Sequence, residues 1–405
     1  MRIGIVSQWY PPEPAFIPGG LADELAARGH EVRVLTGYPN YPAGRVYPGY
    51  RQRWRHTATA GGVSVRRVPA YASHGRSAAG RAAAYLSFAA TSALAAPRFL
   101  RGVDALYVYH PPATAYAAAR RLGVPTVLHV QDMWPESVTA SAMTPDGRAG
   151  AALHRALGAG MRSIYRAAAQ VAVIAPAMAD LVVERGADPA KVRVVLNWTD
   201  ESLFRPVPAT DAARAELGHR GRCLILFAGN IGPFQRVETA VRAAAATPGV
   251  DLVLVGSGTD EAPARALADA LGATNVRFLG RRAATEMAAL YAAADFQLVI
   301  LRDLPALRGT VPSKLQAALA CGSPVIVSAA GDCATLVASA GAGLTCPPED
   351  WAALADRFAV VACMTPQARA AMGARARTLY AERMSLRVGA DQIEDMLTKA
   401  AACPA

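Results

Sequence analysis

The segment LHVQDMWPES (128–137) carries the most reactive side chains of the first half of the chain. It follows an apolar run that predicts a β-strand, so Asp132 is expected at the carboxyl end of that strand, where it could accept a proton from an attacking hydroxyl group. Trp134 could stack on a sugar ring, and Glu136 could hydrogen-bond hydroxyl groups. The alternative is that Asp132 only caps the following turn.

A second segment, GNIGPFQRVETA (229–240), has the composition of a phosphate-binding turn. It predicts a strand end, a glycine-rich turn and the start of a helix. Backbone amides and the helix dipole favour an anion at such a place, and Gln235 and Arg236 could add side-chain donors.

A third segment, ILRDLPALRGTVPSKLQAALACGSPVI (300–326), predicts a strand end, a loop, a helix and a final strand. Ser313 is expected at the helix N-cap, with the amides of Thr310 to Lys314 directed at an incoming anion. Lys314 is one of only three lysines in the chain. Its ammonium group could stabilise charge on a diphosphate leaving group, and the alternative is a solvated lysine at the start of a helix.

The loop Gln8–Gly20 connects the first predicted strand to a helix, whose N-terminus could also bind an anion. It lacks a Gly-x-Gly-x-x-Gly pattern, and no acidic residue ends the second strand at 35–37, which argues against a dinucleotide dehydrogenase. Glu13 is an ionisable group of this loop, either directed at a ligand or simply solvated.

Short apolar strands alternate with Ala-, Leu- and Arg-rich helices along the chain, which predicts α/β domains with parallel sheets. A polar, proline-containing stretch after Asn197 separates two such halves. We therefore predict a Rossmann-like domain over 1–200, a second over 201–365, and a helical segment over 366–405. Ligands of such sheets bind beyond the carboxyl ends of the strands, so the two domains are expected to face a central cleft.

The excess of 42 basic over 31 acidic residues gives a net charge of +11, and one stretch, 32–103, contains no acidic residue. Eleven arginines lie in it: Arg33, Arg45, Arg51, Arg53, Arg55, Arg66, Arg67, Arg76, Arg81, Arg98 and Arg101. Such a segment implies an anionic partner, which could be a phosphate-bearing substrate, an acidic membrane surface or nucleic acid. No nucleic-acid-binding motif accompanies it, so a nucleic acid is not expected as the partner.

Other features concern the cellular compartment. The six cysteines, all in the second half, include no Cys-x-x-Cys pair, which argues against zinc and disulfides and favours a reducing compartment. The N-terminal sequence predicts a strand rather than a signal peptide, and the uncharged run 82–97 is too short to cross a bilayer. We expect a cytoplasmic protein, at most peripheral on the inner face of the cytoplasmic membrane.

Together these segments resemble GT-B glycosyltransferases of glycosyltransferase family 4. The similarity is greatest to the bacterial aminosugar (L-fucosamine-type) transferases of O-antigen and colanic-acid assembly. The matching motifs cover nearly the whole chain in consistent order: QWYPPE (8–13), RGHEVRVLTGYPNYPAGRVYPGY (28–50), HVQDMWPESVTAS (129–141), AGNIGPFQRVET (228–239), VRFLGR (276–281), LRDLP (301–305) and VPSKLQAALACGSPVI (311–326).

The resemblance implies a GT-B fold in which the C-terminal half holds a nucleotide-sugar donor, the N-terminal half holds an acceptor, and the last helix crosses back to the first domain. It implies donor-binding roles for Asn230, Gly232, Gln235, Arg281, Asp303, Thr310 and Ser313. It implies acceptor-binding roles for Glu13, Arg45, Gln131, Trp134 and Glu136. The implied catalytic residues are Asp132, Lys314 and Arg236. Family members retain the anomeric configuration, and neither a metal nor another cofactor is expected.

The chain departs from the family pattern at a few positions. Two glutamates that bind the sugar and the ribose in many members are replaced by Gly309 and Ala317, so ribose recognition must come from elsewhere. A histidine common in the family is replaced by Gln131. Arg236 stands where a small residue is usual, where it either contacts phosphate or forms a local salt bridge.

The predicted function is transfer of a hexosyl or N-acetylhexosaminyl group from a UDP-sugar to an acceptor hydroxyl, with retention and without a metal. The expected acceptor belongs to cell-surface polysaccharide or lipid-linked glycan assembly. One alternative is a transferase that modifies a soluble secondary metabolite. A more remote one is a GT-B sugar-nucleotide 2-epimerase, against which the residues Gly309, Ala317 and Gln131 argue.

Overall fold

The computed structural model describes residues 1–54, 56–73, 77–136, 138 and 147–402. Arg55, Arg76 and Cys403 therefore lie outside the described residues. The chain divides into two compact units: unit 1 comprises Met1–Asn197 with Leu386–Ala405, and unit 2 comprises Trp198–Ser385.

Unit 1 contains an eight-stranded sheet in the order β3-β4-β2-β1-β5-β6-β7-β8, in which only the β3–β4 pair is antiparallel. Its strands are β1 (Arg2–Ser7), β2 (Glu31–Gly37), β3 (His56–Ala60), β4 (Val63–Val68), β5 (Ala105–His110), β6 (Thr126–Val130), β7 (Gln170–Val173) and β8 (Val192–Val194). Its helices before the unit boundary are α1 (Phe16–Ala27), α2 (Ala78–Phe99), α3 (Tyr116–Leu122), α4 (Gly147–Ala167) and α5 (Pro176–Glu184).

Unit 2 contains a six-stranded parallel sheet in the order β11-β10-β9-β12-β13-β14. Its strands are β9 (Cys223–Ala228), β10 (Val250–Val255), β11 (Val276–Gly280), β12 (Phe296–Ile300), β13 (Val325–Ser328) and β14 (Gly343–Cys346). Its helices are α6 (Asp211–Glu216), α7 (Val237–Ala245), α8 (Glu261–Ala270), α9 (Met287–Ala293), α10 (Ser313–Ala320), α11 (Asp332–Ala340), α12 (Trp351–Ala362) and α13 (Pro366–Arg383). With one parallel sheet and one sheet that is parallel except for its β3–β4 pair, both flanked by helices, the predicted α/β class is confirmed.

The central strands are apolar runs buried on both faces, as a parallel sheet covered by helices requires. Every residue of β9 and β10 is buried, and Phe227 and Phe296 anchor the core of unit 2. In β1, a Cβ on Gly4 would lie 2.5 Å from the side chain of Leu106 in β5. Glycine therefore lets the neighbouring leucine fill the core.

The C-terminal segment differs from the prediction of one helical unit over 366–405. Helix α13 belongs to unit 2, where Gly373 packs closely on Gly322. A Cβ on Gly373 would lie only 2.5 Å from the carbonyl oxygen of Gly322. Only the last helix, α14 (Leu386–Ala402), belongs to unit 1. Its carboxylates bind the cation at the end of α1: Arg28 lies 2.7 Å from both Asp391 and Glu394.

Candidate active site

The loops that follow β9 and β10 pack backbone against backbone. The amide of Ile231 donates to the carbonyl of Ser257 at 3.0 Å. A Cβ on Gly256 would lie 1.8 Å from the carbonyl oxygen of Gly229, and one on Gly258 would lie 2.1 Å from that of Ile231. Only glycine fits at these two positions, so the second loop supports the turn that the sequence predicts as a phosphate site.

The turn itself presents two amide side chains. Asn230 is exposed, and its Nδ2 donates to Oε1 of Gln235 at 3.4 Å. Gly232 lies between them, where a Cβ would approach Nδ2 of Asn230 to 2.6 Å. These three predicted donor-binding residues therefore lie together at the carboxyl end of β9, and the weak bond between the two amides leaves both able to turn to a ligand.

Lys314 reaches the same turn from the start of α10. Its Nζ is buried, has no hydrogen-bond partner among the residues that the structure describes, and lies 3.9 Å from the centroid of the Phe227 ring. A Cβ on Gly229 would lie 3.3 Å from Nζ, which places the ammonium directly beneath the turn. Burial lowers the pKa of Lys314 to about 7. The alternative of a solvated lysine is therefore wrong, and no residue in the described part of the chain supplies a counter-ion.

The helix that carries Lys314 begins differently from the prediction. Pro312, in an extended conformation, is the N-cap of α10, and Ser313 is its first residue, with an exposed side chain. No side chain caps this helix. The amide of Thr310 is engaged with the carbonyl of Leu307 at 3.0 Å. The helix thus begins one residue earlier than the sequence predicts, because proline suits either the cap or the first turn.

Arg236 takes part in a local ion pair. Its Nε lies 3.4 Å from Oε1 of Glu349, while Oε2 of Glu349 accepts the amide of Asp303 at 3.0 Å. Arg236 and Glu349 are the two non-glycine residues with positive φ in the described chain, at 46° and 59°. The Asp303 carboxylate accepts in turn from Arg308 at 3.2 Å. Of the two roles weighed for Arg236, the structure displays the salt bridge, and a phosphate contact stays a prediction.

Arg281, predicted at the nucleotide base, is exposed just beyond the end of β11. Its neighbour Arg282 is fixed by Glu216, with Nε 2.7 Å from the carboxylate. Gly280 has a φ of 68°, which turns the chain sharply between strand and loop.

In unit 1, Gln131 follows β6 and is held by a chain of polar side chains. It exchanges two hydrogen bonds with Asn197, at 3.2 and 2.6 Å, and its Nε2 lies 3.1 Å from Nε2 of His129. Nδ1 of His129 lies 2.6 Å from the hydroxyl of Tyr107, and burial lowers the pKa of His129 to about 3. A neutral, packed histidine thus orients the glutamine that replaces the family histidine.

Asp132 is open to a ligand. Its side chain is exposed and has no hydrogen-bond partner among the described residues, so it does not cap the following turn. The protein around it nevertheless desolvates the carboxyl group and raises its pKa. An accessible carboxylate with a raised pKa is a better proton acceptor than an ordinary one. Arg45, a predicted acceptor-binding residue, is likewise exposed and has no partner in the described part of the chain.

Two neighbours of Asp132 serve the fold instead. Trp134 is buried, with ring centroids 5.9 Å from Tyr85 and 5.7 Å from His110, so its ring is not open for stacking on a sugar. Glu136 binds Arg185 through both oxygens, at 2.8 and 2.6 Å. The bidentate pair leaves this carboxylate little capacity for substrate hydroxyls.

Glu13 is buried rather than solvated. Its carboxylate accepts the amides of Tyr10, Asn40 and Tyr41 at 3.1, 2.7 and 2.8 Å. Burial raises its pKa, and these three bonds together with nearby Arg67 oppose the shift. Glu13 therefore ties the first loop to the chain after β2, where it is not exposed to an acceptor.

Two residues that contact predicted site residues, one in each unit, were not identified from the sequence. Glu349 follows β14 in the polar sequence CPPED (346–350), and Asn197 follows β8 after the two apolar residues Val195 and Leu196. A polar residue within a few positions of the carboxyl end of a parallel strand is the signal that could have indicated both. Among the described residues, no group of three or more His, Cys, Asp or Glu side chains could hold a metal ion.

Comparison with known proteins agrees with this arrangement. The model of the glycosyl transferase 4-like domain matches residues 18–198, and that of the glycosyl transferases group 1 matches residues 210–379. The chain is 29% identical over 342 residues to the putative colanic acid biosynthesis glycosyl transferase WcaI of Escherichia coli K12, covering 81% of this chain and 83% of that protein.

A second curated relative is the D-inositol 3-phosphate glycosyltransferase of Mycobacteroides abscessus, 37% identical over 182 residues, which cover 42% of this chain and 40% of that protein. Among solved structures, Anabaena Alr3699/HepE in complex with UDP and glucose has a TM-score of 0.66 at 19% identity, over 98% of this chain and 99% of that one.

The two domain matches account for both units in chain order, and the structural likeness extends over nearly the full length. The resemblance seen in the sequence is thus confirmed. The chain belongs to the GT-B glycosyltransferases, with a glycosyl transferase 4-like first half and a group 1 second half.

Proposed function

We propose that this glycosyltransferase moves a hexosyl or N-acetylhexosaminyl group from a UDP-sugar to a hydroxyl of a lipid-linked glycan, with retention of configuration. The observation that carries the donor part is the buried amino group of Lys314, which lies next to Gly229 in the turn 229–235 (the Gly229 turn) and has no partner among the described residues. A diphosphate would supply a counter-ion. The structure of Anabaena HepE in complex with UDP and glucose supports a uridine nucleotide as the donor.

In the proposed reaction, Lys314 and the amides of the Gly229 turn stabilise the negative charge that develops on the departing diphosphate. Asn230 and Gln235 exchange their mutual hydrogen bond for bonds to phosphate oxygens. Asp132 accepts the proton of the acceptor hydroxyl while the oxygen of that hydroxyl forms its bond to the anomeric carbon. None of these roles requires a metal ion.

The assignment to polysaccharide assembly rests on WcaI, whose name places it in colanic acid biosynthesis. A soluble acceptor is the second candidate, favoured by the likeness to D-inositol 3-phosphate glycosyltransferases, whose name implies a phosphorylated polyol. Parallel assays with a polyprenyl-diphosphate-linked sugar and with inositol phosphate separate the two candidates. Turnover of a UDP-sugar without any acceptor would instead indicate an epimerase.

Binding of nucleotides to the K314M variant tests the donor site. We expect UDP to raise the melting temperature of the wild type more than GDP or ADP, because a ligand that binds only the folded state stabilises it. K314M should lose at least about tenfold in UDP affinity, the order of one charge-assisted hydrogen bond. K191M, which removes a half-buried lysine of unit 1, is the control. Equal UDP affinity of all three proteins would refute the donor site.

The D132N variant tests the acceptor side. We expect kcat to fall about 100-fold or more, as for loss of a general base, with the affinity for UDP unchanged. A D132N enzyme of undiminished kcat would remove Asp132 from the mechanism.

A further inference from the structure

Helix α2 of unit 1 presents an apolar face to solvent. Leu86 and Leu94 are 62% and 71% exposed. The exposed positions between residues 79 and 94 recur at helical spacing and are all alanine or leucine: Ala79, Ala82, Ala83, Leu86, Ala90 and Leu94. The outer face of a helix on a globular protein is ordinarily polar, so an exposed apolar face of this kind indicates an interaction surface.

The opposite face of α2 is already used. Phe88 is fully buried. The other residues on its side of the helix are buried as well: Ala84, Ser92, Ala95 and Ala96. The inner face therefore holds the helix on unit 1, and the outer face is not needed for folding.

The serine and threonine hydroxyl groups of α2 donate to backbone carbonyls within the helix. Ser87 donates to the carbonyl of Ala84 at 3.1 Å, and Thr91 donates to that of Ser87 at 3.0 Å. Neither hydroxyl therefore opposes transfer of the helix to an apolar medium.

Exposed aromatic side chains lie near this face. Tyr71 is 57% exposed, and its amide donates to Oγ of Ser87 at 2.8 Å. Trp54 is 51% exposed, and its carbonyl accepts from Arg66, whose guanidinium lies 5.8 Å from the ring of Phe99 at the end of α2. Tyr and Trp rings favour the boundary between headgroups and acyl chains.

The charges around the face are positive. The arginines of the acid-free stretch do not form one exposed stripe, because Arg67 is buried and Arg33 is paired with Glu31. Of those that remain exposed, Arg98 and Arg101 lie at the end of α2, and Arg51 and Arg53 directly precede Trp54 in the chain. This charge complements anionic lipid headgroups, whereas a second copy of the same basic surface would be repelled.

We propose that the outer face of α2, with Trp54, Tyr71 and the four exposed arginines, is a lipid-binding surface that seats unit 1 on an anionic bilayer. The helix lies in the plane of the interface. None of the helices in the described residues has both the length and the hydropathy needed to cross a membrane. The role of this surface, which is to bring the enzyme to a membrane-anchored acceptor, depends on the proposed function.

Co-sedimentation of the full-length protein with vesicles tests the surface. We expect the wild type to bind vesicles of mixed phosphatidylglycerol and phosphatidylcholine far more tightly than vesicles of phosphatidylcholine alone. L86E/L94E should weaken that binding by about 100-fold, on the order of tenfold for each leucine withdrawn from the interface. The matched control is L271E/V360E, which changes two exposed apolar residues of unit 2 and should bind like the wild type.

A second arm separates charge from burial. R98Q/R101Q should weaken binding severalfold in low salt and less in high salt, because screening removes the attraction that the variant lacks. Unchanged vesicle binding by L86E/L94E would overturn the proposal. So would a wild-type dimer that this variant converts to a monomer, since the face would then bind a second copy.

Measuring UDP binding on the same samples keeps the two proposals distinct. L86E/L94E should bind UDP as the wild type does, which shows that the protein is folded. If the wild type binds vesicles but not UDP, the donor proposal fails while the lipid-binding surface stands.

Discussion

Burial of the Lys314 amino group, for which no described residue supplies a counter-ion, should destabilise the folded protein until a ligand binds. The pKa of this group is lowered to about 7 in the folded state, against about 10.4 in an unfolded chain. Below pH 7 the group is charged in both states, so the folded protein bears the full penalty of burial. As the pH rises from about 7 to about 10, the unfolded chain binds more protons and the penalty fades.

We therefore expect K314M to be more stable than the wild type at pH 6 while it binds UDP poorly. The difference in free energy of unfolding should shrink towards pH 10, where neither state of the wild type carries the charge. Urea unfolding across this pH range measures it. A constant difference from pH 6 to 10 would show that the amino group is not desolvated as described.

Arg236 allows a test of backbone strain. In a left-handed conformation alanine is strained as arginine is, whereas glycine is not, so R236G should be more stable than R236A by about 1 kcal/mol. This reverses the usual order of the two residues. Urea unfolding measures the difference in stability between the two variants. If Arg236 contacts phosphate, both variants should also bind UDP more weakly than the wild type. If R236A is the more stable variant, the backbone at Arg236 is not strained.

At the scale of elements, the donor site depends on the contact between the loops after β9 and β10. G258A would place a Cβ 2.1 Å from the carbonyl oxygen of Ile231, so the loops must separate. We expect the free energy of unfolding to fall by about 2 kcal/mol and the binding of UDP to be lost. G160A in α4, where a Cβ meets no other atom within 4 Å, is the control and should be neutral or stabilising. UDP affinity equal to that of the wild type would show that the loops are not coupled.

At the scale of the whole molecule, the chain returns from unit 2 to unit 1 through α14. Glu394 of this helix has its pKa lowered, chiefly by hydrogen bonds from Arg28 and His30. A lowered folded pKa contributes stability above the ordinary pKa of the carboxyl group, and this contribution is lost as the pH falls through the folded value.

E394Q should therefore destabilise unit 1 at pH 7 by about 1 kcal/mol or less, as expected for a partly exposed pair. Amide hydrogen exchange in α14 should be faster in the variant at pH 7. The difference in free energy of opening should persist at the ordinary pKa of a glutamate, about 4.3, and vanish only once the pH falls below the lowered folded pKa. A difference that persists in acid would mean that the packing of the side chain, rather than its charge, holds the helix.

Residue type and spacing determined the α/β class, the two Rossmann-like halves and the turns that contribute Asn230, Gln235 and Lys314. These follow from local periodicity, and parallel strands bring their carboxyl ends to one edge of a sheet. The glycines at 256 and 258, which directly follow an apolar strand, are likewise typical of a close approach between backbone segments.

The surroundings of each side chain were decided only by the tertiary structure. Glu13, Trp134 and Glu136 follow strands as ligand-binding residues do, yet each is occupied by a partner distant in sequence. The uncharged run of α2 has the pattern of an ordinary core helix, but the fold leaves one of its faces in solvent. Burial and pairing depend on contacts between residues far apart in the chain, which a local pattern does not contain.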